Sequence, residues 1–215
     1  MNGTVATATT RSVLPGLAVG TWTIDPAHTA VGFSVRHVMS RVRGTFREVS
    51  GHLTITDDPT QSTATATIDL ASVDTGDELR DSHLRSGDFF DVEQTPTMTF
   101  VGAGLFPRDG GWVLSGYLTV RDITRPVDLD VELLGVDPTG IQGETRIGFE
   151  ARATIRRQDF GITFDLAVPG NKVVIGDKVE ISLDVEAVLD ADNGAGRTDT
   201  DDGWAGWPAL NGEVA

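Results

Sequence analysis

Between Thr63 and Leu70 the chain places Ala64, Ala66, Ile68 and Leu70 against Thr63, Thr65, Thr67 and Asp69. A two-residue period puts one set of side chains on each face of a strand, so one face is apolar and the other wet. The pattern recurs along the chain. Val31, Phe33, Val35 and His37 share a face, as do Val127, Leu129, Val131 and Leu133, then Ile147, Phe149, Ala151, Ala153 and Ile155, and finally Val179, Ile181, Leu183, Val185 and Ala187. Trp22 with Ile24, Met98 with Phe100, and Trp112 through Val120 complete about eight strands. A further strand is expected over 45–56, where Phe46 is out of phase with Val49, Leu53 and Ile55, which predicts a bulge or bend near Gly51. Asp109-Gly110 and Asp137-Pro138-Thr139-Gly140 mark turns.

Parallel sheets need continuous apolar runs and long crossovers, and neither is present. The reading is an all-β chain, an antiparallel sheet closed into a barrel or folded as a sandwich. Strands of this length favour the barrel, whose eight-stranded form has room for side chains or one ligand. The small inward residues Ala64, Ala66, Gly116, Ala151 and Ala153 either leave space or face bulkier partners.

The alternation stops at 75–92. Thr75 and Glu78 have capping-box spacing and Gly87 is placed to end a helix, so a short helical insertion is expected around residues 76–87. Phe89 and Phe90 follow and need apolar space. Residues 1–19 read as a flexible arm, 20–189 as the barrel, and 190–215, with Trp204 and Trp207, as a disordered acidic tail. No apolar run spans a membrane. The apolar stretch from Val13 to Val19 is short and broken by Pro15-Gly16, so a signal peptide is not expected and a cytoplasmic location is.

The 215 residues carry a net charge of −15, which argues against a nucleic-acid partner. There is no cysteine, hence no thiolate chemistry. No nucleophile or phosphate-binding motif occurs, the tail's Asp-rich runs do not fit a calcium loop, and the four histidines have no metal-ligand spacing, so neither a metal nor a catalytic residue is assigned. Asp25 with His28, and Asp81 with His83, are the pairs an enzyme would use. The arginines gather: Arg36, His37, Arg41, Arg43 and Arg47 have no acid among them from position 36 to 47, and Arg80, His83, Arg85, Arg121 and Arg125 form further groups. Meeting at one rim, they would give an apolar cavity a cationic mouth.

Several motifs in register resemble one family. They are Trp22-Thr23-Ile24-Asp25-Pro26-Ala27-His28-Thr29, Val31 to His37, Gly44-Thr45-Phe46, Arg80 to Val92, Pro96 to Phe100, Gly116 to Val127, and Arg157-Gln158-Asp159-Phe160-Gly161-Ile162. Together they look like the YceI-like family of polyisoprenoid-binding, lipocalin-like proteins. The resemblance implies an extended eight-stranded antiparallel barrel that is not an enzyme, takes no cofactor, and binds a long amphiphile such as an isoprenoid quinone or polyprenyl phosphate. Many members are periplasmic with a signal peptide, which is not expected here, and many have glycine where this chain has Asp122. The expected tail channel is Phe33, Val35, Ile68, Met98, Phe100, Leu114, Leu118, Phe149 and Ile181. The expected head-group contacts are Arg36, His37, Arg80, His83 and Arg121. Alternatives are an enzyme acting on a hydrophobic molecule in the cavity, or a filled barrel serving as an interaction module. A homodimer is expected.

Overall fold

The computed structural model describes residues 17–165 and 174–191. The 1–19 arm and the 190–215 tail, including both tail tryptophans, lie almost wholly outside the described residues. Eleven strands form one antiparallel sheet: β1 (Gly20–Ile24), β2 (Ala30–His37), β3 (Ser40–Phe46), β4 (Val49–Ile55), β5 (Thr63–Asp69), β6 (Val73–Asp74), β7 (Thr97–Arg108), β8 (Gly111–Val120), β9 (Ile123–Asp137), β10 (Arg146–Arg156) and β11 (Ile175–Leu189). One helix, α1, spans Glu78–Arg85.

The eleven segments act as eight staves. β1 and β2 run one after the other along β11, through Trp22↔Leu189 and Phe33↔Ile181. Between them Pro26–His28 makes a single 3-10 turn, started by Pro26 and capped by Asp25, whose carboxylate accepts from the Ala27 N–H at 3.0 Å. β3 and β4 form a second stave bent at Arg47-Glu48, and β5 and β6 a third, interrupted at Leu70–Ser72. Because β1 pairs with both β4 and β11, the sheet closes on itself. A closed eight-stranded ring leaves no long edge of unpaired N–H and C=O groups. The short outer edge of β6 is covered by α1: Arg85 donates to Ala71 O at 2.9 Å and Val73 O at 3.0 Å.

Three local expectations are corrected. Of the bulge or bend expected near Gly51, the bend is what forms and no bulge occurs, since β4 and β5 pair without a break from Val49↔Ile68 to Thr54↔Thr63. The phase change between Phe46 and Val49 is the bend at Arg47-Glu48. Gly51 is small for another reason, as a Cβ there would stand 2.0 Å from Thr65 O. The helix is capped by Asp77, which accepts from the Arg80 N–H, and not by Thr75. It ends at Ser86 in extended backbone, without a left-handed Gly87. Finally, the stretch 40–44, not assigned to a strand from sequence, belongs to β3 and makes a hairpin with β2.

Trp22 (0 % exposed), Leu53, Ala64, Ile147 and Ala187 form the core where β1 joins its two neighbours. The other end carries the β2–β3 and β8–β9 turns, α1, and the 157–162 turn after β10; it is called the helical end below. Trp22→Ala is expected to cost about 3–5 kcal/mol in urea unfolding; a change under about 1 kcal/mol would show that the seam does not depend on this side chain.

Candidate functional site: an apolar chamber in the barrel

Two cavities lie inside the ring, of about 200 and 130 Å3. They share Ile24, Ala66, Phe100, Leu129, Leu183 and Val185, so they abut, with Ala66 and Phe100 at the waist. Together they reach the lower end of the ~300–1,000 Å3 range of small-molecule sites. The larger lies toward the helical end, where Leu84 of α1, Phe89, Phe90, Phe160 and Ile162 complete the wall. The smaller runs past Leu53, Trp112, Leu114, Ile147 and Phe149.

All nine residues of the expected channel line one or other cavity. Phe33, Val35, Ile68, Met98, Leu118 and Ile181 face the larger, Leu114 and Phe149 the smaller, and Phe100 both. Period-two alternation suffices to place them, because a closed ring turns one face of every strand inward. The small residues divide. Ala64, Ala66 and Ala151 border empty space, whereas the room at Gly116 is taken by the Phe100 ring, 2.5 Å from where a Cβ would be.

The chamber is apolar to an unusual degree. No protein nitrogen or oxygen contributes surface to the larger cavity, and almost none to the smaller. Arg157 borders the larger one yet is 5 % exposed, and its guanidinium is turned away. It donates to Ile162 O and Phe164 O at 2.8 Å, Gly176 O at 3.1 Å and Ile175 O at 3.2 Å. A buried cation is costly unless its donors are satisfied. Here four carbonyls satisfy it, and it ties the segment leaving β10 to the start of β11. Sequence reading gave Arg157 no role. An arginine in phase with Phe149–Ile155 in a chain with few inward charges was the available signal.

None of the five residues expected at the ligand head lines either cavity. Arg80 donates to Thr75 Oγ1 at 2.7 Å and Thr75 O at 3.0 Å and lies 3.8 Å from Asp77. Its neighbour Asp81 is buried and accepts from Thr75 N–H at 3.0 Å and Thr75 Oγ1 at 2.5 Å. His83 contacts Asp88 at 2.8 Å and stands edge-on to Phe89 and Phe164, with ring centres 5.0 and 4.9 Å apart. Asp81 and His83 are therefore engaged elsewhere and do not act as a pair. Arg36, His37 and Arg121 sit at the helical end with no ion pair among the described residues. Arg121 and Asp122 form the β8–β9 turn, both with positive φ (52° and 62°), conformations in which glycine is at ease.

The strongest electrostatic cluster is outside the barrel, at the β1–β2 kink. Asp25 accepts from Arg146 at 2.7 Å and contacts His28 at 2.8 Å; Arg146 also reaches Glu186 at 3.1 Å and Glu144 at 2.6 Å. Ligand atoms of Asp25, His28 and Glu186 lie within 4.8 Å of one another, a spacing that could suit a metal. The Arg146 guanidinium is already the cation these carboxylates share. Its hydrogen bond, then that of His28, holds the Asp25 carboxyl down at about 2. So depressed a carboxylate is a poor base near neutrality, and the cluster lines no cavity. It fastens the kink to β10 and β11.

Among solved structures the barrel is similar to Burkholderia cenocepacia BcnA, with a TM-score of 0.65 at 23 % identity over 76 % of this chain and 98 % of that one. It is also similar to the Campylobacter jejuni YCEI protein, at 0.61 and 31 % over 77 % and 96 %. A third likeness, at 0.61 and 14 % over 80 % of this chain and all of the other, is a polyisoprenoid binding domain from Saccharophagus degradans. By sequence, a UPF0312 protein of Staphylococcus epidermidis is 36 % identical over 168 residues, 77 % of this chain and 96 % of that one. One of Serratia proteamaculans is 37 % identical over 165 residues, 75 % and 81 %. The YceI-like domain profile matches residues 22–187, from the buried Trp22 to Ala187 at the same seam.

The chain belongs to the YceI-like family. In this YceI-like protein the matched residues include every wall of the chamber except Leu17. No helix among the described residues is long and apolar enough to cross a membrane.

The Asp25 carboxylate gives a pH prediction. Its folded pKa is below the ordinary 3.8, so the stability it adds is fully present above about pH 4 and is lost as pH falls toward 2. The difference in urea stability between wild type and Asp25→Asn is expected to be constant above about pH 5 and to shrink below about pH 4. A difference that persists unchanged in acid would contradict the assignment.

Proposed function

We propose that this protein binds the hydrocarbon tail of a long amphiphile in the barrel and leaves its polar head outside. The isoprenoid class, as a polyprenyl phosphate or an isoprenoid quinone, is the best fit, and carriage, storage or protection the corresponding role. One observation carries the reading: two abutting cavities inside the ring whose exposed surface is almost wholly carbon. A substrate with polar reacting groups would find no partner there, which favours holding over catalysis. At about 0.8 kcal/mol per buried carbon group, one isoprene unit brings roughly 4 kcal/mol. Three such units are of the size needed to offset the estimated ~4–15 kcal/mol cost of association.

The head belongs at the helical end. There the larger cavity is covered by side chains from outside the strands, Leu84, Phe89 and Phe90 of the insertion with Phe160 and Ile162 of the turn after β10, whereas the smaller cavity is walled by strands except at Leu17 and Ser62. Arg36, His37 and Arg121 are at that end and remain candidates for meeting an anionic or carbonyl head, with Arg80 and His83 holding the insertion in place. The polyisoprenoid binding domain of Saccharophagus degradans shares the fold at low identity.

Native mass spectrometry and solvent extraction of the purified protein are expected to recover a long-chain amphiphile, or else stripped protein should take up added farnesol. Ala66→Phe, which fills the waist, should weaken binding of a C20 or longer tail at least tenfold, and of a C10 tail less. Protein free of lipid and indifferent to farnesol, polyprenyl phosphate and quinone alike would overturn the proposal.

A further inference from the structure

The β2–β3 hairpin is turned by Val38-Met39, between the paired residues His37 and Ser40. Val38 has φ +50° and Met39 does not share the positive sign. A two-residue hairpin loop with positive φ at its first position normally takes glycine there. A β-branched residue in that region is an outlier that costs on the order of 1–3 kcal/mol. The other two-residue hairpin turns of the barrel, Asp109-Gly110 and Arg121-Asp122, are polar. Here two apolar side chains project instead, Val38 at 51 % and Met39 at 91 % exposed. Nothing in the fold needs them, for neither belongs to a core cluster.

The strands behind this tip are cationic. From Ser34 to Arg47 there are four arginines and no acid, in a chain of net charge −15. Arg36 and Arg41 are directly opposite across the pair, as are Ser34 and Arg43. Phe33 and Val35 face the chamber, so by alternation this set faces out. Like charges directly opposite are unfavourable in a sheet. Arg41 is paired with Glu180, which stands opposite Ser34 and whose charge Arg43 also feels, and Arg47 with Asp74, while Arg36 has no ion pair among the described residues. Strain, apolar exposure and like-charge crowding therefore coincide in one hairpin, at the end where the chamber is covered by side chains. Leu79 on α1 is exposed at that same end.

We propose that the β2–β3 hairpin is a membrane-docking tip: Val38 and Met39 enter the headgroup region of an anionic bilayer while Arg36, Arg41 and Arg43 meet its phosphates. Apolar residues flanked by arginine suit that interface, and each arginine near an anionic surface strengthens binding by about fivefold. The remaining charge of the protein is repelled by the same surface, so the molecule approaches hairpin first. The inference rests on this surface and does not require the chamber to be occupied. A protein that holds lipid but ignores vesicles would overturn it and leave the proposed function standing.

The test is co-sedimentation of the full chain with vesicles of phosphatidylcholine alone or with 30 mol% phosphatidylglycerol, at low and high salt. Wild type is expected to bind the anionic vesicles and to lose that binding as salt screens the charges. Arg43→Gln should weaken binding about fivefold and Met39→Asp about tenfold. Val38→Gly separates docking from folding: glycine relieves the strain, so the melting temperature should rise while vesicle binding falls. Equal binding to neutral and anionic vesicles, no binding to either, or a Met39→Asp variant that binds like wild type would each overturn the proposal, including the case in which the tip serves an acidic protein partner.

Discussion

Closure of the sheet is the constraint on which the other features depend. A strand edge must be paired, covered or charged, and this chain removes most of the difficulty by bringing β1 against both β4 and β11. A ring of eight staves has a set diameter, and its interior can be filled or left partly open according to the side chains it encloses. Alanines at 64, 66 and 151 leave it partly open. The seam is therefore costly to disturb, and it holds the densest supports in the molecule: the fully buried Trp22 on the inside, and the Asp25–Arg146–Glu186 cluster on the outside.

The polar groups near the chamber share one arrangement. Arg157 donates to four carbonyls, Asp81 accepts from Thr75, Arg80 donates to Thr75, and Arg85 covers the carbonyls of the β6 edge. Each charge at the helical end that points toward the barrel is consumed by backbone or by a neighbour. The interior is left to carbon. Such a site discriminates by length and shape, because a polar group drawn inside would lose its water and find no replacement.

Much of this was legible in the sequence, for reasons that also mark its limits. Inward residues such as Phe100, Leu118 and Ile181 were readable because alternation needs no knowledge of partners. The Asp109-Gly110 hairpin was readable because its residues are those a tight turn prefers. The β2–β3 turn was not, since Val38 and Met39 have no turn chemistry, and Ser40–Gly44, with Val42 as its one apolar side chain, has too little alternation to mark a strand. Thr75 looked like the helix cap by spacing, but the nearer Asp77 takes the position and frees Thr75 for Asp81. The bonds of Asp25 to Arg146, 121 positions away, and of Arg157 to the start of β11 are set by register between distant strands. No local pattern announces them.

The central claim is that the chamber holds hydrocarbon and little else. Calorimetric titration of stripped protein with isoprenoid alcohols of two, three and four units tests it most directly, since burial of apolar surface lowers the heat capacity. The account predicts a negative heat-capacity change that grows with each added unit until the chamber is full. Heat-capacity changes near zero, or independent of tail length, would contradict it.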